Sequence, residues 1–562
     1  MKARIRWTLG IAIAMAAQAQ AQVRPPSTVN PLENLPRVQA PSNAPSVNTN
    51  VQTAPPNPRL LALLAHTLTP QRFDVVGVHA VPFADIAALF SPMNGKQVRV
   101  ADLVAASGRI AEIYKAHGYA LSFGYIPAQD FANGLVQVRV IEGYVAKVDV
   151  SGDAGNMEPR IRAIAQHIAE DRPLRQATFE RYLQVLGMLP GVRVNASVPA
   201  PATTDGATRL VLDVQRTRYN ATAGIDFNHP GTQGLLTAIE NGMTPLNEQL
   251  SVSTLYPTGR GDQELFAANY LQPIGSRGWM GTMSGSYYSG NPDTDGQLPS
   301  YLLHNLTQNR LALGVSYPLW LNSQSNLSVN AGIYGSNQND HYLNTITNAT
   351  LEQKNDLRVV HTGLDYSYAS PTMVRKATFE VAQGINAWGA EGSSTTQIGG
   401  QTIAVPSDVS FTRYDASFVQ SNAWSHNFGT VFSISGQYSS DNLPSTEQIN
   451  FGGPRYGLAY DPGDAAGDSG WGASFEVNHY YNVSTIWLKR WTPYAVIQVA
   501  RVHLNAGTPL LSQIGTAAVG VRLTDNKHYT IDISVAQPTG QKPTEEERRE
   551  ARWNLTFSYQ LK

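Results

Sequence analysis

Residues 451–471, FGGPRYGLAYDPGDAAGDSGW, gather six glycines, one arginine and three aspartates in one short span. A glycine-rich turn lets backbone N–H groups close on an anion, so a phosphate cradle is the first chemistry to test. The spacing excludes it. Neither GxGxxG nor GxxxxGK[ST] is present, and no βαβ pattern surrounds the stretch. Elsewhere the chemistry is thinner. There is no cysteine, which removes thiolate nucleophiles, disulfides and cysteine-based zinc sites together. No HExxH or GxSxG occurs, and His229, His304, His361 and His479 are scattered. His479 shares the parity of Phe475 and Val477 and is expected at the membrane interface or a loop end rather than as a ligand. The run EEERRE at 545–550 reads as a solvated loop. We expect no enzyme, no metal and no cofactor. What remains is a single cation, Arg455, inside a chain of turns.

The segments that position this stretch alternate. Tyr219, Ala221, Ala223, Ile225 and Phe227 form one apolar face against Asn220, Thr222, Gly224 and Asp226, and the same pattern recurs to Trp553, Leu555, Phe557, Tyr559 and Leu561. Tyr256, Trp279, Tyr287, Trp320, Tyr438, Trp471 and Trp491 close the apolar faces, as aromatic girdles at a bilayer interface would. The opposite faces are Ser, Thr, Asn, Gln and Gly. Charged residues are only 15% of the chain, against roughly a quarter in ordinary soluble proteins. A transmembrane antiparallel β-barrel over residues 218–562 accounts for all of this, because lipid covers its outer face. At the usual strand and loop lengths the segment divides into about 16 strands. Alternation at 431–438 and 473–481 makes the stretch between them a long inter-strand loop beginning at Ser439.

Residues 1–21 read as a secretory signal peptide: Lys2, Arg4 and Arg6, an apolar run over 7–17, then Ala19-Gln20-Ala21. Residues 22–70 form a Pro-rich linker with a short helix at 59–66. No window holds 18 consecutive apolar residues, so a membrane-spanning part has to be a barrel. A formal net charge of −1 offers no pull toward nucleic acid.

Between linker and barrel the pattern turns α+β and repeats. Strand periodicity at 72–78 is followed by helical spacing at 84–90 and 100–114 and by strands at 120–126 and 135–141. The same order returns at 145–150, 159–169, 175–186, 192–198 and 208–214. Two units result, 71–144 and 145–217.

GYALSFGYIPAQDFANGLVQVRVIEGYV and RYLQVLGMLPGVRVNASVPA resemble the first and second POTRA domains of two-partner secretion transporters (TpsB type), the outer-membrane haemolysin and adhesin secretion and activation proteins. The resemblance implies two periplasmic POTRA domains before a barrel of about 16 strands in the outer membrane of a Gram-negative bacterium. It implies a sixth extracellular loop folded back into the pore with an arginine tip, matched by Gly453, Pro454, Arg455, Tyr456 and Gly457. The family places the arginine's aspartate partner on a strand of the form P-Y-x-F-x-D-x-G. Residues 493–500, PYAVIQVA, fit that strand, with Gln498 in place of Asp and Ala500 in place of Gly. Gln498 is thus the candidate barrel-wall partner, and Asp461, Asp464 and Asp468 are alternatives within the loop.

The implied function is a translocation pore that recognises a large exoprotein by its N-terminal two-partner secretion domain and exports it unfolded without nucleotide hydrolysis. Outer-membrane lipid and, during biogenesis, the barrel-assembly machinery are the other implied partners. The chain ends Tyr559-Gln560-Leu561-Lys562 rather than on Phe or Trp, and its surviving alternation leads us to expect insertion. The alternative functions are an outer-membrane assembly factor, or a porin or adhesin with a periplasmic extension.

Overall fold

The computed structural model describes residues 64, 66–199, 205–228, 231–256, 263–291, 299–543 and 548–561. The signal segment, the proline-rich linker with most of its helix, His229 and residues 545–547 lie outside the described residues.

In the first unit the apolar positions of α1 (Phe83–Phe90) and α2 (Val100–Ala116) face a three-stranded sheet. Ile86, Phe90, Leu103, Ile110 and Tyr114 pack with Val136, Val138 and Val140. Each fully buried aliphatic side chain among them contributes about 1.5–3 kcal/mol. The Arg99 amide donates to the Asp102 carboxylate at 3.1 Å, which satisfies one orphan N–H at the start of α2. Gly118, at φ +86°, ends that helix. Leu135–Ile141 is the central strand, parallel to Arg72–Val76 and antiparallel to Phe123–Tyr125.

The second unit repeats this topology with α3 (Glu158–Glu170), α4 (Gln176–Gly187) and the strands Tyr144–Gly152, Val192–Ser197 and Ala207–Arg216, the last of them central. At the junction, Glu142 Oε1 accepts from the amides of His79 and Ala80 and from the Tyr114 hydroxyl, each at 2.7 Å. Burial pushes the Glu142 pKa upward, but these donors outweigh it and hold the carboxyl below its ordinary range.

Sixteen antiparallel strands then close into a barrel. The first eight are β1 (Tyr219–Asp226), β2 (Gln233–Asn241), β3 (Gln249–Leu255), β4 (Glu264–Ile274), β5 (Trp279–Gly290), β6 (Leu302–Leu321), β7 (Ser325–Asn344) and β8 (Thr350–Ala369). The second eight are β9 (Met373–Gly384), β10 (Phe411–Ala423), β11 (Phe428–Tyr438), β12 (Ser469–His479), β13 (Arg490–His503), β14 (Gln513–Thr524), β15 (Tyr529–Pro538) and β16 (Arg552–Leu561). β16 pairs with β1 from Thr556↔Asp226 to Leu561↔Ala221, which removes every free barrel edge. Between β9 and β10 a hairpin, Glu391–Ile398 with Gln401–Ser407, pairs along the upper part of β8 above the end of β9.

Burial is inverted relative to a soluble protein. Leu311, Leu313, Leu319, Val519 and Trp553 are exposed on the outer wall, while Gln308, Ser336, Gln338 and Asp340 are buried inside. Period-2 alternation puts each set on its own side. Trp279 and Tyr287 sit at opposite ends of the outer face of β5, separated by about 27 Å of strand at ~3.4 Å per residue. That is comparable with the ~25 Å apolar band of an outer-membrane barrel.

The second unit is fastened to the lower rim. The Arg160 guanidinium donates to Asn247 Oδ1 at 2.9 Å and to the carbonyls of Leu246 (3.3 Å), Pro273 (2.9 Å) and Gly275 (3.1 Å). Arg181 donates to the Tyr317 hydroxyl at 2.9 Å and to the Pro318 carbonyl at 3.0 Å. Helices α3 and α4 thereby grip two of the turns that join barrel strands and the lower end of β6.

Candidate functional site

The loop 439–468 leaves β11 and does not extend into solvent; it folds into the barrel. Its glycines make the reversal possible. Gly452 and Gly453 have φ of +129° and +54°, and a Cβ on Gly452 would lie 1.9 Å from the Asp461 carbonyl oxygen. No other residue fits there. The Gly452 and Arg455 amides donate to each other's carbonyls at 3.0 and 3.1 Å, closing the tip. Ile449–Phe451 pairs with Ala465–Gly467, a short ladder that the irregular sequence does not reveal. The expected loop is also trimmed at its far end, because residues 469–471 already belong to β12. Phe451, Ala459, Tyr460 and Ala465 supply an apolar face that packs on Val496, Ala500, Ile514 and Ala518 of the inner wall.

The predicted tip residues lie together. Pro454 is exposed and Arg455 half-buried, its guanidinium carbon 5.6 Å from the centre of the Phe451 ring, within cation–π range. Gln498 does face the loop: its Oε1 accepts the Leu458 amide at 3.0 Å. Asp461 and Asp468 are each engaged. Asp461 Oδ1 binds Arg552 Nη1 of β16 at 2.8 Å, with the two side chains only 1% and 9% exposed. Asp468 accepts from Leu443 N at 3.0 Å, Gln448 Nε2 at 2.9 Å and Asn505 N at 2.8 Å. Asp464 Oδ2 accepts the Asp461 amide at 3.2 Å.

Sequence reasoning missed the loop's other anchor. Glu447, 1% exposed, accepts from Arg413 Nη1 of β10 at 2.5 Å and from the Tyr334 hydroxyl of β7 at 2.7 Å. Arg413 also meets Asp415 at 2.7 Å and Glu380 of β9 at 3.4 Å, and Glu380 lies 3.3 Å from His361 of β8. Pairing and hydrogen bonding offset part of the desolvation cost of these buried charges. A second inward cluster joins Arg522 to Glu476 at 2.7 Å and to Asp532 at 2.9 Å, with the Tyr494 hydroxyl on Asp532 at 2.7 Å. One signal pointed to these groups: Arg413, Asp415, Glu476, Arg522 and Asp532 all occupy the lumenal parity of strands whose other face is apolar.

Between loop and wall lies a cavity of about 250 Å³, lined by Pro454, Leu458, Glu476, Gln498, Arg522 and Asp532 among others. The site therefore has a polar lumen in which arginines pair with an excess of carboxylates, partly filled by a tethered loop. Its groups hold a segment in place and line a path.

Residues 68–143 match the POTRA domain of ShlB type. Residues 232–523, more than half of the chain, match the family described as haemolysin secretion/activation protein ShlB/FhaC/HecB. The heme/hemopexin transporter protein HuxB of Haemophilus influenzae is 20% identical over 490 residues, covering 81% of this chain and 80% of that protein. Among solved structures, CdiB from Escherichia coli superposes with a TM-score of 0.66 at 17% identity, over 88% of this chain and 91% of that one. CdiB from Acinetobacter baumannii gives 0.57 at 15%, over 94% and 95%. BamA from Haemophilus ducreyi gives 0.51 at 11%, over 88% and 100%. At these identities the structural likeness speaks for the fold.

Proposed function

Because the chain belongs to the ShlB/FhaC/HecB family of haemolysin secretion/activation proteins, we propose that it recognises one partner exoprotein in the periplasm and exports it unfolded through its barrel without nucleotide hydrolysis. The family places the barrel in the outer membrane, its POTRA domain in the periplasm, and gives it the translocation of partner proteins. The observation that carries the finer reading is the lumen. A barrel of this strand number is too wide for side chains to fill and leaves an aqueous channel. Here the space is lined by Gln, Ser and paired charges and occupied by one tethered loop. An extended chain with solvated backbone fits such a path, whereas a folded domain does not.

On this reading residues 71–144 and 145–217 are two POTRA domains, the second because it repeats the topology of the first. Each has edge strands able to accept an added strand of the partner, with a neighbouring helix shaping the groove. The loop bearing Arg455 gates the path, held through Gln498 or the loop aspartates. Folding of the exported chain outside supplies the driving force, since the periplasm provides no nucleotide.

Deleting the gene tests the proposal. One exoprotein should accumulate in the periplasm and vanish from the surface, while other outer-membrane barrels assemble normally. Broad loss of barrel proteins would support an assembly factor, and loss of small-solute flux alone would support a porin. Arg455→Ala in the complementing copy should lower export at least tenfold, and unchanged secretion would remove the tip from the mechanism.

A further inference from the structure

The outer wall carries a second concavity, across the wall from Tyr334 and the loop anchor Glu447. Four residues stand side by side across the barrel: Gly285 of β5, Leu311 of β6, Gly335 of β7 and Arg358 of β8 are consecutive cross-strand partners. The row below is apolar, Met283, Leu313, Ile333 and Val360, and the row above is Tyr287, Asn309, Asn337 and Asp356. The two glycines thus leave a gap in the wall at the level where its outer face changes from apolar to polar. The groove holds about 620 Å³, within the range of small-ligand sites.

Neither glycine is required by the backbone. Neither has a positive φ, and an added Cβ would meet its nearest neighbour at 3.9 Å on Gly285 and 3.6 Å on Gly335, ordinary contact distances. A side chain on Gly285 would fill the groove, and one on Gly335 would in addition press on Arg358, whose Cδ and Nη1 lie 3.6 Å from that Cβ. Arg358 stands at its polar end, oriented by bonds from Nη1 to Asn337 Oδ1 at 3.0 Å and from Nε to the Trp388 carbonyl at 3.2 Å. Trp388 is held at φ +54° and is 72% exposed, an unusual backbone for an aromatic residue. An indole at headgroup level is the usual interfacial anchor.

The geometry points to a binding site for a phosphorylated glycolipid of the outer leaflet, with an acyl chain along Leu313 and Ile333 in the gap left by Gly285 and Gly335 and its phosphate on Arg358. The wall here faces lipid, so an acyl chain needs no displacement of protein. A guanidinium binds phosphate through charge-assisted, often paired, hydrogen bonds. Lys354, four residues up β8, is engaged by Asp356 at 3.2 Å and Glu391 at 2.7 Å, and Arg310, on the lumenal parity of β6, stacks its guanidinium 3.8 Å from the centre of the Tyr334 ring, so Arg358 is the cation on the outer face of the groove.

Native mass spectrometry of the full detergent-purified chain, titrated with lipid A, with dephosphorylated lipid A and with phosphatidylglycerol, tests the site. The unaltered chain should bind lipid A most tightly. G285L/G335L, which fills the groove, and R358Q, which removes the charge, should each weaken lipid A binding at least tenfold, and dephosphorylated lipid A should bind the unaltered chain as weakly as lipid A binds R358Q. Heat-modifiable migration on gels verifies that both variants still form the barrel. Undiminished binding by G285L/G335L, equal binding of the dephosphorylated lipid, or tighter binding of phosphatidylglycerol would each overturn the assignment.

Discussion

Truncating Glu447 to alanine perturbs the inserted loop at its most buried anchor. The carboxylate loses an arginine at 2.5 Å and a tyrosine hydroxyl at 2.7 Å. Hydrogen bonds to charged groups contribute about 1.5–3 kcal/mol each, and breaking a fully buried ion pair costs about 3–5 kcal/mol. Here the penalty sits near the lower end, because Arg413 keeps Asp415 at 2.7 Å and Glu380 at 3.4 Å. A loss of about 3 kcal/mol raises the undocked population of the 443–448 segment roughly 150-fold. The chain has no cysteine, so Ser445→Cys, a nearly isosteric change at a buried site two residues away, provides a single reporter. When reclosing outpaces modification, labelling by a membrane-impermeant maleimide follows the open population. Labelling should run about 100-fold faster in S445C/E447A than in S445C alone, with S445C/E447Q between them. Rates within twofold of each other would refute the assignment of Glu447 as an anchor.

Three further outcomes follow from the geometry. Asp461→Asn removes the charge from the 2.8 Å pair that ties the loop to Arg552 of β16, and should lower export while leaving barrel assembly intact; immunoblots of medium and membrane fractions read both. Arg160→Ala removes four hydrogen bonds between α3 and two barrel turns, and should broaden the spread of distances between spin labels on the second unit and the barrel rim. Because the folded Glu142 carboxyl lies below its ordinary range, its stabilisation is complete above the unfolded value near 4.3 and is lost as pH falls through the lower folded value. Calorimetry of the full chain in detergent should show the periplasmic transition falling over that window. Glu142→Gln should lower it at neutral pH by several degrees and flatten the dependence.

The barrel was legible because lipid on one side and water on the other force a period of two on every strand. Its aromatic ends followed from the same constraint, and its strand number from the length of the segment and the family resemblance. The α+β units were legible from helical spacing, with boundaries shifting by a few residues: the strand expected over 120–126 is only Phe123–Tyr125. The anchors of the inserted loop were not legible, because they join residues remote in the chain. Glu447 meets Arg413 across 34 positions and Asp461 meets Arg552 across 91, and no local periodicity encodes such pairs. Gln498 illustrates the middle case: its place beside the loop was readable, but its bond to the Leu458 amide depends on the loop's exact path.

Adjacent residues on β13 allow the most direct test. Gln498 faces the lumen and the loop, whereas Ile497 is 62% exposed on the outer wall. A photo-crosslinker placed at each position, in cells producing the exoprotein with a stably folding domain at its C-terminus to stall transit, reports where the chain runs. Export through the barrel predicts an adduct with the stalled exoprotein at 498 and none at 497. An adduct absent from 498 but formed at the β1–β16 seam would contradict it.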